Sequence, residues 1–266
     1  MTAEDELMLE HRGNVAVLTL NRPEKRNALS VSLLASLLST LEELEADRVV
    51  RCAVIRGSGG KAFSSGMDLT GASDGGSGDL QGQIEAKGPL RCALEVIETC
   101  PFSVIAMIQG YAVGAGCELA LACDLRVGAD DCRMGMPPAR LGIVYPPEGL
   151  ERFIRTVGFS STKKLFFTAK IFEIEEVKAL GLLDYVVPAD EIEERTMEIA
   201  CGIAGNAPLS VSGLKRSLLL LSKQPSLTGE DRAEIDALAM KALESEDVKE
   251  GLAAFVQKRG PVFKGL

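Results

Sequence analysis

The sequence predicts an α/β layer fold followed by a helical C-terminal region. Two observations carry this. Short apolar runs with strand character alternate with helical periodicities, separated by polar, glycine-rich turns, and from about Asn206 onward the strand-like runs stop. Residues 1–200 therefore read as an α/β core, and 201–266 as a helical region that packs on the core or on another subunit.

The run VAVLTL (15–20) reads as a strand, followed by the loop NRPEKRNAL (21–29). Leu33, Leu34, Leu37, Leu38, Leu41 and Leu44 then recur at helical spacing behind Ser30, a side chain suited to the N-cap. RCAVIRG (51–57) is a second strand ending in the turn-rich SGGK. The polar, glycine-laden stretch from Thr70 to Gly88 reads as a mobile loop before a helix starting near Pro89. VIAMI (104–108) is a third strand, ELALACD (118–124) opens a helix, and LRVGA (125–129) is a short fourth strand. Beyond Asn206, LSVSGLKRSLLLLSK and DVKEGLAAFVQKR are amphipathic helical patterns.

Composition narrows the chemistry. The 266 residues are 46% hydrophobic and 25% charged, a globular balance with enough apolar residues for a sizeable core. A net charge of -9 and a pI near 4.9 argue against nucleic acid as a partner. The acidic first residues do not read as a signal peptide, and no apolar run reaches a bilayer span, so a cytoplasmic protein without membrane attachment is expected. Seven scattered cysteines without C-x-x-C spacing read as reduced thiols rather than a disulfide or metal framework, and no metal site is expected. The one histidine, His11, lies in a polar segment beside the first strand and reads as an exposed edge residue. Acid–base work then falls to carboxylates or tyrosine.

Two turns stand out. GAGCEL (114–119) begins like a dinucleotide fingerprint, but Leu119 occupies the third glycine's place and no acidic residue follows at the expected distance, which excludes a nucleotide cofactor. What remains is strand, glycine turn and helix N-terminus, a place where backbone N–H groups meet a ligand. KAFSSGMDL (61–69) is a second strand-to-turn passage with small residues at its centre. One N–H from each turn suffices to hold an oxygen that becomes negative during reaction. Within the first turn Glu118 places a carboxylate among Gly, Ala, Cys and Leu, where an unpaired charge is costly.

NRPEKRNAL, KAFSSGMDL, GYAVGAGCELALACD and the tail SEDVKEGLAAFVQKR resemble, in order through nearly the whole chain, the enoyl-CoA hydratase/isomerase (crotonase) superfamily. The resemblance implies a crotonase-like spiral of ββα units with a helical C-terminal region used in trimerisation, as a homotrimer or a dimer of trimers. It implies an acyl-CoA substrate and no further cofactor, coenzyme A being part of the substrate. Carried over by position, the oxyanion hole falls on the N–H groups of Met67 and Ala115, which would stabilise a thioester enolate. Lys25 and Arg26 fall where CoA phosphates are held, and Ala28, Ser65, Asp68 and Leu69 along the same loop and turn. Phe255 and Lys258 match positions that help enclose a CoA, often a neighbouring subunit's.

Glu118 matches the first of the two glutamates with which hydratases of the family hold and deprotonate water. The second is replaced: the G-x-P-E segment corresponds to Gly135, Met136, Pro137 and Pro138. Two nearby residues are candidates in its stead. Glu148, in P-E-G, resembles the glutamate of some Δ3,Δ2-enoyl-CoA isomerases, and Tyr145, in LGIVY, resembles the tyrosine of methylmalonyl-CoA decarboxylases. The expected reaction is hydration of a 2-enoyl-CoA with Glu118 as main base. Alternatives are the isomerase, the decarboxylase, and a non-catalytic binder of acyl-CoA or RNA, which the retained Glu118 and the acidic charge disfavour.

Overall fold

The computed structural model describes residues 6–69, 88–222 and 243–262, with isolated positions between 229 and 240. The expected mobile loop lies outside the described residues except for Gly88, the N-cap of the helix that follows.

A hairpin opens the chain. Strand β1 (Leu7–Arg12) runs antiparallel to β2 (Val15–Leu20), which pairs in parallel with β3 (Cys52–Gly57). Every residue of β2 is buried, as expected of a strand covered on both faces. His11 is exposed as anticipated, but it belongs to β1 itself, whose polar LMLEHR hid it from a search for apolar runs. Helix α1 (Val31–Asp47) follows, and Ser30 caps it by accepting the Leu33 N–H at 3.1 Å. Leu33, Leu34, Leu37, Leu41 and Leu44 are buried on its inner face, each stabilising the fold by about 2 kcal/mol.

The chain then repeats one unit. From β3 it passes to β4 (Ala62–Ser64) and α2 (Pro89–Thr99); then through β5 (Ser103–Ile108), β6 (Tyr111–Val113) and α3 (Ala115–Ala122). The third pass is β7 (Leu125–Ala129), β8 (Arg133–Gly135), a 3-10 turn at Pro138–Leu141 and α4 (Pro147–Thr168). β9 (Ile171–Phe172), α5 (Ile174–Ala179), β10 (Tyr185–Val187) and α6 (Ile192–Ala204) complete the core, and α7 (Pro208–Ser222) and α8 (Glu246–Val256) follow. The first strand of each pass joins a six-stranded sheet ordered β1-β2-β3-β5-β7-β10, and the second joins a four-stranded sheet ordered β4-β6-β8-β9. This is the expected spiral of ββα units with C-terminal helices. The last strand is β10, so helices alone begin with α6, which runs across the 200/201 division.

Among the described residues, which include all seven cysteines, there is no disulfide, and burial pushes the Cys52 and Cys132 thiols up to about 12. Among the described residues no helix is long and apolar enough to cross a membrane.

One buried ion pair ties α7 to the core. Lys215 Nζ donates to Asp124 Oδ2 at 2.8 Å and to the carbonyls of Ile97 and Phe102 at 2.8 and 2.9 Å. Asp124 also accepts the Val104 N–H at 2.7 Å. Burial works against the Lys215 charge, but Asp124 and the Cys100 thiol together outweigh it and raise the lysine above its ordinary value. Lys215→Met is expected to lower unfolding free energy in urea by about 3 kcal/mol, because it strands Asp124 without its cation. A change below about 1 kcal/mol would show that α7 is held by its apolar face alone.

Candidate active site

Strands β4 and β6 are parallel neighbours, and the chain leaves each through a glycine turn, at Gly66 and Gly114. Both glycines have positive φ, +100° and +56°. A Cβ on Gly66 would lie 2.8 Å from the Val113 carbonyl oxygen and 3.5 Å from the Ala115 nitrogen; one on Gly116 would lie 2.5 Å from the Ser64 carbonyl oxygen. The glycines of GAGCEL therefore serve a turn and a close approach between two loops.

This contact brings two backbone donors to one place. The Leu29 N–H donates to the Gly66 carbonyl at 2.8 Å, and the Asp68 N–H donates to the Leu29 carbonyl at 3.0 Å. Met67 stands between these two bonds, so its own N–H turns the other way, as in any parallel bridge. Ala115 is the first residue of α3, where an N–H has no partner within the helix. Among the described residues neither N–H meets an acceptor, and both residues line one cavity of about 890 Å³.

All of the expected site residues line that cavity. Lys25, Arg26, Ala28, Ser65, Asp68 and Leu69 come from the 22–29 loop and the turn after β4; Phe255 and Lys258 come from α8 and the residue two beyond its end, here on the chain's own cavity. Lys25 Nζ is 3.3 Å from Asp68 Oδ2, and both Lys25 and Arg26 are exposed. Buried residues the sequence reading had not singled out hold this region. Arg22 pairs with Asp68 at 2.7 Å and Glu6 at 3.0 Å and donates to the Ala28 carbonyl at 2.7 Å, while Asn27 donates to the carbonyls of Ser58 and Ala62.

Every residue of α3 is buried, and Glu118 lies in its first turn. Its Oε2 accepts the Tyr145 hydroxyl and its Oε1 accepts Arg152 Nη1. Gly149, at the start of α4, makes room for this: a Cβ there would lie 2.4 Å from Tyr145 Cε1 and 3.0 Å from Glu118 Oε1. Burial pushes the Glu118 carboxyl above its ordinary value, against the Arg152 charge and the Tyr145 hydrogen bond. Burial and then the Glu118 charge push the Tyr145 phenol well above its own, so the phenol keeps its proton. Burial opposes the Arg152 charge, but Glu98 and Glu118 more than offset it.

Glu148 also faces the cavity, where it pairs with Arg91 at 2.9 Å. Met136, Pro137, Pro138, Ile143 and Leu94 supply apolar wall. Sequence reasoning missed Arg152, Arg91 and Glu98. A buried carboxylate needs a cation, and that demand is the one sequence signal that would have prompted a search along α4 for Arg152. Among the described residues no group of three or more His, Cys, Asp and Glu side chains is placed to hold a metal ion.

The raised carboxyl has a consequence for stability. Its contribution is fully present below the ordinary value of 4.5 and is lost as pH rises through the higher folded value. Glu118→Gln is expected to lose less stability than wild type between pH 4.5 and neutrality, measured by urea unfolding at a series of pH values. Parallel profiles would contradict the assignment.

The geometry can be set beside known proteins. The family model for enoyl-CoA hydratase/isomerase matches residues 10–266. A 2,3-dehydroadipyl-CoA hydratase of Escherichia coli (strain K12) is 34% identical over 260 residues, covering 98% of this chain and 99% of the relative. A methylmalonyl-CoA decarboxylase of the same strain is 32% identical over 252 residues, covering 94% and 95%. The solved structure of methylmalonyl-CoA decarboxylase in complex with 2-nitronate-propionyl-CoA matches with a TM-score of 0.91 at 30% identity, covering 98% of this chain and 99% of that one. With two paired glycine turns, a buried carboxylate beside them and this likeness over the whole length, the chain belongs to the enoyl-CoA hydratase/isomerase family and is an enzyme of acyl-CoA thioester chemistry.

Proposed function

We propose that the enzyme decarboxylates a 2-carboxyacyl-CoA of the methylmalonyl-CoA type through a thioester enolate. One observation carries this choice: both oxygens of Glu118 are engaged, one by the Tyr145 hydroxyl and one by Arg152. With both oxygens held by donors, the carboxylate is poorly placed to take a proton from an attacking water. Pro138, on the cavity wall, has no group to supply the second proton transfer of a hydration.

The thioester carbonyl oxygen accepts from the Met67 and Ala115 N–H groups, each such donor being worth about 3 kcal/mol to the transition state. The carboxylate on C2 lies against apolar wall of the kind Met136, Pro137 and Ile143 provide, where an anion loses solvation and departure as neutral CO2 is favoured. As the C2–carboxylate bond breaks, its electron pair passes to C2 and onto the thioester oxygen as enolate. C2 then takes the Tyr145 hydroxyl proton, which solvent replaces. The net change consumes one proton and yields CO2 and the shortened acyl-CoA. Glu118 holds the Tyr145 hydroxyl in place. Lys25, Arg26 and Lys258 are assigned to the CoA phosphates, the backbone at Ser65 to the adenine, and Ala28, Asp68, Leu69 and Phe255 to the walls around it.

Hydration of a 2-enoyl-CoA is the second reading. What favours it is that two carboxylates, Glu118 and Glu148, line one cavity, and that a hydratase is among the relatives. An isomerase would rely on Glu148, which Arg91 engages. The enzyme is assigned to the cytoplasm, with coenzyme A entering only as part of the substrate. Assembly is assigned as a homotrimer or a dimer of trimers; the exposed leucines of α7, with Leu209, Leu218 and Leu221 at 88%, 64% and 74% exposure, support contact with another copy of the chain.

Mass spectrometry of products from methylmalonyl-CoA and crotonyl-CoA decides between the two. The expected result is loss of CO2 from methylmalonyl-CoA, with kcat reduced by about a hundredfold in Tyr145→Phe. Addition of water to crotonyl-CoA with no decarboxylation would overturn the proposal in favour of hydration.

A further inference from the structure

Glu98, on α2, does not line the substrate cavity. It lines a second, smaller cavity of about 330 Å³, as does Arg155. Yet its carboxylate grips Arg152 by two nitrogens, Oε1 to Nε at 2.9 Å and Oε2 to Nη2 at 3.1 Å. Arg155 holds the same carboxylate from its other side. A guanidinium is planar, so fixing Nε and Nη2 also fixes where Nη1 points. Nη1 points at Glu118 Oε1.

We infer that Glu98 and Arg152 are positioning residues: Glu98 orients the Arg152 fork, and the fork holds Glu118 where it receives the Tyr145 hydroxyl. This rests on the assignment of Glu118 and Tyr145 to the reaction made above. The relay crosses from α2 through α4 to α3; Arg152 and Glu118 line the reacting atoms' cavity, and Glu98 does not.

The charges around Glu118 set the direction of its response. Arg152 on α4 and Tyr145 just before α4 touch it, Glu98 on α2 lies behind Arg152, and Arg155 lies on Glu98. Beside it are the Cys117 thiol on its own helix and, on the same cavity wall, the Glu148–Arg91 pair. Two arginines thus face two glutamates at the relay. Neutralising Glu98 leaves both arginines against Glu118 alone, and Glu118 then ionises more readily. Arg152→Lys keeps a cation and loses the fork.

The test is the pH dependence of kcat and KM for wild type, Glu98→Gln and Arg152→Lys, with methylmalonyl-CoA and crotonyl-CoA as substrates and thermal unfolding alongside. Glu98→Gln is expected to lower kcat by about tenfold with KM little changed, and to move the acid limb of the profile to lower pH by about half a unit. Arg152→Lys is expected to lower kcat at least as far without that acid shift. If Arg152→Lys does not fold, Glu98→Gln decides alone. An active wild type with an unmoved acid limb in Glu98→Gln, whatever its melting temperature, assigns Glu98 to structure only and overturns the inference while leaving the proposed function standing. A wild type that turns over neither thioester overturns both.

Discussion

The structure is organised around the need to satisfy one buried carboxylate. α3 is buried along its whole length, and Glu118 in its first turn is buried with it. An unpaired anion in such a place would cost several kcal/mol. Two donors meet it, both from the segment around the start of α4, and this requirement sets how α4 packs on α3. Gly149 follows from the same constraint, because a side chain there would occupy the space of the Tyr145 ring. So does Glu98, since Arg152 inserted alone would be a second buried charge needing a partner.

The catalytic turns rest on a simpler constraint. The ββα spiral stacks β4 and β6 side by side, so the turns that leave them are neighbours by topology. Small residues let those turns touch, and the geometry of a parallel bridge and of a helix N-terminus each leaves one N–H over. On the proposed reading, polarising a carbonyl needs no side chain, so residues other than Met67 and Ala115 would offer the same N–H groups. The side chains around the turns determine which reaction the polarised thioester undergoes.

Much of this was legible in the sequence. Ser30 and its leucine spacing mark α1, the apolar runs mark β2, β3, β5 and β7, and the two glycine turns mark Met67 and Ala115 on the cavity wall. Of the small sheet, β4 shows in the strand-to-turn passage at 61–69, but β8 and β9 were not legible, because two or three residues are too few for alternation to show. β1 escaped because its second half, Glu10, His11 and Arg12, is polar and cuts the apolar run short. In the site, residues within contiguous motifs were placed in the cavity, including Glu148 and Tyr145. Arg152 and Glu98 were not foreseen. Their partnership joins three helices far apart in sequence, and an arginine on an amphipathic helix carries no mark of facing inward. Arg22 and Asn27 were passed over for a related reason: in a loop rich in charge, the buried members look like the solvated ones.

The central claim is that Glu118 is committed to Tyr145 and Arg152 rather than to an attacking water. The chain has three tyrosines, so 13Cζ-labelled tyrosine gives few NMR signals, and Tyr145→Phe assigns the relevant one. The account predicts that the Tyr145 signal steps as Glu118 ionises, that Glu118→Gln abolishes the step, and that the phenol stays protonated well beyond pH 10. A Tyr145 signal indifferent to Glu118→Gln and titrating near 10 like an exposed phenol would contradict it.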